Sequence, residues 1–152
     1  MHLHTASDQA VISGVGLWTP DHIISNEELV QALNAYAESF NTEHASLIEA
    51  GTVAPVMKSD AEFIEKASGI RQRHVYVKDG ILDITRMKPR IAERAEGELS
   101  HQAEIALHAA RKAMVAANKT GADIDAVIVS CAYTQRAYPA IAIEVQAALG
   151  IE

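Results

Sequence analysis

A thiol or an imidazole becomes a catalytic group only when a neighbour tunes it, so each reactive residue in this chain is judged by its company. Cys131 is the sole cysteine. As a nucleophile it would need a helix N-terminus or an adjacent base to lower its pKa. It ends a hydrophobic run instead, which reads as a buried structural thiol. Seven histidines offer proton-transfer or metal-binding groups. His2 and His4 fall in a tail, His22 and His44 in loop or inserted sequence, and His101 and His108 on one helix with Glu104 between them. None has the tight ligand pairing of a zinc site, and no metal centre is expected. There is no nucleophile elbow, Walker loop or kinase signature. The residues support part of a site at most.

The densest chemistry lies in Ala67-Ser68-Gly69-Ile70-Arg71-Gln72-Arg73-His74. A helix-ending glycine, a buried-type isoleucine and three potential cations precede the β-type run Val75-Tyr76-Val77, as in a recognition turn. Arg71 and Arg73 read as ion pairs fixing that turn, and His74 as a polar residue at a strand edge. With Arg86, Lys88, Arg90 and Arg94 the arginines form a basic stretch that could meet a phosphorylated cofactor or an acidic carrier protein. The competing reading is a solvated basic face paired with neighbouring Glu residues. A net charge of −7 argues against general nucleic-acid binding, which needs a clustered excess of Lys and Arg.

These residues need elements to hold them. Residues 10–16 read as a first strand entering a glycine turn. Leu17-Trp18-Thr19 occupies the place where a dinucleotide fingerprint would open onto a helix, which excludes the Rossmann reading. Ser25 and Glu28 have capping-box spacing, so a helix begins near Asn26; Ser59 and Glu62 repeat it, and Gly69 ends that second helix. Residues 100–118 carry Ala103, Ala106, Leu107, Ala110, Met114 and Ala117 at helical spacing, with Gly121 as the stop. Residues 126–131 form a continuous apolar run, the pattern of a strand covered on both faces. Pro139 then suits the first turn of a last helix striped by Ile141, Val145, Ala148 and Leu149. This order predicts an α/β layered fold with a mainly parallel sheet, left incomplete at an apolar edge. Segments 35–56 and 78–98 read as insertions.

The 152 residues, 49% of them hydrophobic, suit one domain with a real core. No apolar run is long enough to span a membrane and no leader pattern opens the chain, so no membrane partner and a cytoplasmic location are expected. A single cysteine rules out an internal disulfide.

Together with Gly14-Val15-Gly16-Leu17-Trp18-Thr19-Pro20, Ala137-Tyr138-Pro139-Ala140 and Val145-Gln146-Ala147-Ala148-Leu149-Gly150-Ile151, the recognition turn resembles the beta-ketoacyl-acyl-carrier-protein synthase III family of the thiolase-like superfamily. The resemblance implies an αβαβα layered enzyme, usually a homodimer, of which residues 1–152 are the N-terminal part. It implies acylation of a cysteine by acyl-CoA, then decarboxylative condensation with malonyl-acyl-carrier protein in fatty acid biosynthesis. The catalytic Cys, His and Asn are expected beyond Glu152, on the C-terminal remainder. Acyl-CoA is a substrate and no cofactor is implied.

Three positions here match the family's binding residues. Phe63 matches an aromatic that stacks on the CoA adenine, and Ser59 a nearby hydroxyl; their other readings are a core residue and a helix cap. Tyr138 matches an aromatic offered across the dimer interface to the partner's acyl pocket, its other reading being a loop or interface residue without substrate contact. The family's basic residue before the glycine is Ala67 here, with Lys66 beside it. The inserted segments suit a wall or cover for the acyl tunnel and predict an acyl group longer than acetyl. Two alternatives stand beside this enzyme: a related condensing enzyme of secondary metabolism, and a catalytically silent homologue acting as a dimer partner or carrier-protein docking module.

Overall fold

The computed structural model describes residues 11–152, so His2 and His4 and the first residue of the expected strand lie outside it. The described residues divide into two compact units, one containing residues 11–18 and Glu93–Glu152, the other Thr19–Ala92.

The second unit begins with strand β1 (His22–Ser25) and helix α1 (Asn26–Glu43). Ser25 stops the strand and starts the helix. Its hydroxyl accepts from the Glu28 amide at 3.2 Å while the Glu28 carboxylate accepts from the Ser25 amide at 3.0 Å, the expected capping box. Helix α2 (Ala45–Glu49) follows, then α3 (Ala61–Ser68) and strand β2 (Gln72–Val75). Segment 35–56 is thus mostly helical. Gly69 ends α3 with φ +71°, a left-handed turn that glycine adopts without steric cost. The N-cap of α3 is Asp60 rather than Ser59: its carboxylate accepts from the Phe63 amide at 2.7 Å. Both residue types can cap, and the side chain nearest the open amides takes the position. Ile24, Ala32 and Ala37 are the buried apolar residues here.

The other unit is built on α4 (His101–Ala117) and α5 (Ile141–Leu149). Ser100 caps α4, and Asn118 ends it with φ +53°; Gly121 begins a short 3₁₀ turn instead of stopping the helix. Ala103, Ile141 and Val145 form the buried core, with Leu99, Ala106, Val127, Val129 and Leu149 packed around them. Pro139 lies just before Ala140, the N-cap of α5.

The sheet differs from the sequence expectation. Among the described residues it has two strands, β1 and β2, paired antiparallel with Ile24 opposite Arg73, and no parallel pair occurs. Residues 11–16 and 126–131 form neither strand nor helix. Val11, Ile12, Val15 and Ile128 are largely exposed, Ile128 at 94%. β-propensity expresses itself as a strand only where a neighbouring backbone completes the hydrogen bonds, and none of the described residues does so here. Segment 11–17 instead lies along α4. A Cβ on Gly16 would sit 2.2 Å from the Ala109 carbonyl oxygen, and one on Gly14 would sit 2.6 Å from that of Ala113. The α4 backbone at Ala109 and Ala113 therefore serves a close approach to a glycine-bearing segment rather than to a sheet.

Candidate functional site

The recognition turn is held by a residue its motif does not contain. Asn26, 2% exposed at the first position of α1, donates from Nδ2 to the Ile70 carbonyl at 2.7 Å and accepts from Arg73 Nη1 at 2.8 Å. Its own amide donates to the Arg71 carbonyl at 3.2 Å. One side chain thus reads both sides of the turn. Arg71 pairs with Glu65 at 2.7 Å, the expected ion pair, whereas Arg73 holds the turn through the neutral Asn26 rather than through a carboxylate. His74 is exposed at the strand edge, with Nδ1 2.7 Å from the Pro20 carbonyl.

That turn fixes the exit of α3, and two further asparagines fix its entry. Asn34 exchanges hydrogen bonds with the backbone of Ser59, 2.8 Å to its carbonyl and 2.9 Å from its amide. Asn41 does the same to Val56, at 2.9 and 2.8 Å. A side-chain amide carries both a donor and an acceptor, so one Asn satisfies an extended residue as a neighbouring strand would. Ser59 is half-buried and pinned through its backbone, and it does not cap α3. Phe63 is 63% exposed on the first turn of α3, which removes its core reading and leaves its ring open to a planar ligand.

On the far side of α1, the segment after β2 folds back. Lys78 Nζ lies 2.5 Å from Glu28 Oε1, and this hydrogen bond, joined by the one from the Ser25 amide, holds the Glu28 carboxyl below the usual carboxylate range. Arg90 clasps Asp79 at 3.0 Å and Asp83 at 2.7 Å. Asp83 also accepts from the Thr85 hydroxyl and amide, and these bonds with Arg90 bring its pKa down to about 2. A groove of about 320 Å³ runs between Ala32 and Ala35 of α1 and Leu82 and Ile84 of this loop. Arg86 bonds the carbonyls of Lys88 and Pro89. Most of the basic stretch is thus engaged by local partners: Arg71 and Arg94 by the glutamates Glu65 and Glu104 that the paired-face reading expects, but Arg90 by aspartates and Arg86 by main-chain carbonyls.

Tyr138 belongs to the other unit. It is 86% exposed, follows Arg136 by two residues and precedes a cis peptide bond to Pro139. It lines a groove of about 540 Å³ with Leu99, Arg136, Pro139, Ile143 and Ala147. Beneath the groove, Glu144 is 6% exposed. Its carboxylate accepts from the Ser100 amide at 3.0 Å and the Ser100 hydroxyl at 2.5 Å, and Arg136 stands 3.7 Å away. Sequence reasoning passed over Glu144, although a signal exists: it occupies the i+3 position of an otherwise apolar stripe beginning at Ile141.

Cys131 is exposed rather than buried, because the run that carries it is not enclosed in a sheet. Its Sγ donates to the Tyr133 carbonyl at 2.9 Å, an arrangement that supplies no base. His44 stacks on Phe40 with centroids 4.2 Å apart, and His108 on Trp18 at 5.2 Å. His101 and Glu104 both meet Arg94. No group of three or more His, Cys, Asp or Glu able to hold a metal occurs among the described residues, and none of their helices is long and apolar enough to cross a membrane.

No protein-family profile matches the chain. It is 49% identical over 123 residues to a beta-ketodecanoyl-acyl-carrier-protein synthase of Pseudomonas aeruginosa, covering 81% of this chain and 35% of that protein. It is 30% identical over 146 residues to the beta-ketoacyl-acyl-carrier-protein synthase III of Bordetella petrii, covering 96% of this chain and 33% of that one. Among solved structures, a variant of OleA from Xanthomonas campestris with cerulenin bound matches 93% of this chain and 31% of its own, with a TM-score of 0.58 at 19% identity. That likeness supports the thiolase-like fold. The chain spans about a third of the length of the curated relatives it matches.

Proposed function

Since this chain is a segment of the beta-ketoacyl-acyl-carrier-protein synthase III family, we propose that it forms the N-terminal portion of a cytoplasmic, homodimeric condensing enzyme that joins an acyl-CoA to malonyl-acyl-carrier protein in fatty acid biosynthesis. The observation that carries this reading is the 49% identity to the ketodecanoyl synthase. A polypeptide beyond Glu152 supplies the chemistry. Its cysteine thiolate attacks the acyl thioester and CoA leaves. Malonyl then loses carbon dioxide, and the resulting enolate carbon attacks the acyl-enzyme, releasing the thiolate.

The described residues contribute binding surfaces. Phe63 presents an open ring for the adenine of CoA, and Ser59 stands at the entry of the same helix, held in place by Asn34. Tyr138 reaches outward toward the acyl pocket of a partner subunit. The exposed apolar edges at Ile12, Val15 and Ile128 suit the remaining strands and layers of the complete enzyme. A ketodecanoyl product is an octanoyl unit lengthened by the carbons that malonyl retains, so the preferred acyl group is medium-chain, shaped in part by the folded 78–90 segment.

The test is a steady-state assay of the complete enzyme with malonyl-acyl-carrier protein. Octanoyl-CoA is expected to give the higher kcat/KM. Preference for acetyl-CoA would overturn the chain-length assignment. Failure to condense any acyl-CoA, or the absence of a cysteine from the downstream polypeptide, would overturn the enzyme reading in favour of a silent dimer partner or docking module.

A further inference from the structure

An aromatic side chain that projects into solvent takes its aim from the backbone beneath it. Residues 131–140, which carry Tyr138, contain no helix or strand, so no ladder of main-chain bonds sets that backbone. Two side chains tie it down instead. Gln135 Oε1 accepts from the His101 amide at 2.9 Å. Arg136 Nη2 donates to the Glu98 carbonyl at 3.0 Å, and its Nη1 faces Glu144 Oε1 at 3.7 Å. Both tethers end at the start of α4, one on the His101 amide and the other on the Glu98 carbonyl just before the cap.

Glu144 makes the second tether directional. A carboxylate this deeply buried persists only when paired and hydrogen-bonded. The Ser100 amide and hydroxyl supply the bonds, and the same hydroxyl accepts from the Ala103 amide at 3.2 Å as the cap of α4. Glu144 is therefore fixed with respect to both helices, and the guanidinium facing it is fixed in turn. The fork of Arg136 reaches a carbonyl with one nitrogen and a carboxylate with another, a geometry that an ammonium cannot reproduce. Pro139 restricts the backbone on the other side of Tyr138.

We propose that Arg136, held by the buried Glu144, is the positioning residue that sets the pose of the Tyr138 arm. It touches no reacting atom. This deepens, and rests on, the reading of Tyr138 as a lining residue of the acyl pocket; the placement itself is a property of this unit alone.

The experiment separates the two. The full chain is labelled with 3-fluorotyrosine, giving fluorine signals from Tyr36, Tyr76, Tyr133 and Tyr138, with the last assigned by Tyr138→Phe. The expected result is a narrow Tyr138 line that broadens or splits in Arg136→Met and partly recovers in Arg136→Lys, while the Tyr36 and Tyr76 lines stay fixed. Glu144→Gln keeps the shape and the acceptor for the Ser100 amide but removes the charge facing Arg136, so it should perturb the same line. An unchanged Tyr138 line in Arg136→Met overturns the proposal; if that variant fails to fold, an unchanged line in Glu144→Gln does so. In the complete enzyme, Arg136→Met should lower kcat/KM for octanoyl-CoA by about tenfold with a smaller effect on acetyl-CoA, as misplacement of a pocket wall would. A displaced Tyr138 line with unchanged acyl selectivity upholds the positioning role and overturns the acyl-pocket reading of Tyr138.

Discussion

Replacing Asn26 with alanine should unlatch the recognition turn while leaving α1 intact. The substitution removes the bond from Nδ2 to the Ile70 carbonyl and the bond accepted from Arg73. A neutral amide hydrogen bond contributes about 1 kcal/mol net and one to a charged group about 2 kcal/mol, so the expected loss is about 3 kcal/mol. The main-chain bond from residue 26 to the Arg71 carbonyl survives, and alanine is a better helix former than asparagine. For a chain of this size that loss lowers Tm by about 6–12 °C. Circular dichroism melts of the parent, Asn26→Ala, Arg73→Ala and the double variant make the assay. Because the two side chains touch, their effects should fall short of additivity by at least about 1 kcal/mol. A Tm change below about 2 °C, or strict additivity, would refute the latch.

Three further outcomes are expected. Gly16→Ala should cost about 1–3 kcal/mol, because the added methyl has no room against the α4 backbone; an unchanged urea midpoint would contradict the close approach. Asp83 has a folded pKa of about 2, below its ordinary 3.8. Its contribution to the 78–90 segment is therefore complete above the ordinary value and lost as pH falls through about 2. A carboxyl-carbon NMR titration with its midpoint near 3.8 would count against the Thr85 and Arg90 contacts. Phe63→Ala in the complete enzyme should raise KM for acyl-CoA by roughly tenfold with kcat little changed, the loss expected when one base loses an aromatic stacking partner; an unaltered KM removes Phe63 from the CoA entrance.

What could be read from the chain divides by the range of the physics. The Ser25 capping box, the Gly69 helix stop and the apolar stripes of α4 and α5 depend on neighbours within a turn or two, and the structure has all of them. Arg71 was legible as a turn-fixing ion pair for the same reason, since Glu65 lies on the adjoining helix. Residues 126–131 escape the strand expectation because a strand is a relation between segments: the run is apolar, yet no described backbone pairs with it, and Cys131 is exposed. The antiparallel pairing of β1 with β2 was likewise invisible, resting on the contact between Asn26 and a turn far along the chain. Asn34 and Asn41 look like unremarkable helix residues until the backbones of Ser59 and Val56 arrive beside them. Of the candidate site, Ser59, Phe63 and Tyr138 are offered by family likeness alone, whereas Glu144 escapes the sequence reading although it places a charge in an apolar stripe.

The passage of segment 11–17 across α4 has a genetic consequence. At Gly14 one of the atoms in the way is the Cβ of Ala117, so an Ala117→Gly exchange would relieve part of the conflict. At Gly16 the obstacles are the Ala109 carbonyl oxygen, the Ala113 nitrogen and the Lys112 carbonyl carbon, all main-chain atoms. Every amino acid carries them. No single side-chain exchange on the helix can make room there, and at Gly14 an Ala117→Gly exchange still leaves the Ala113 carbonyl oxygen at 2.6 Å and the Ala117 nitrogen at 2.8 Å, so a suppressor screen against Gly16→Ala or Gly14→Ala should return true revertants or changes that displace the whole segment.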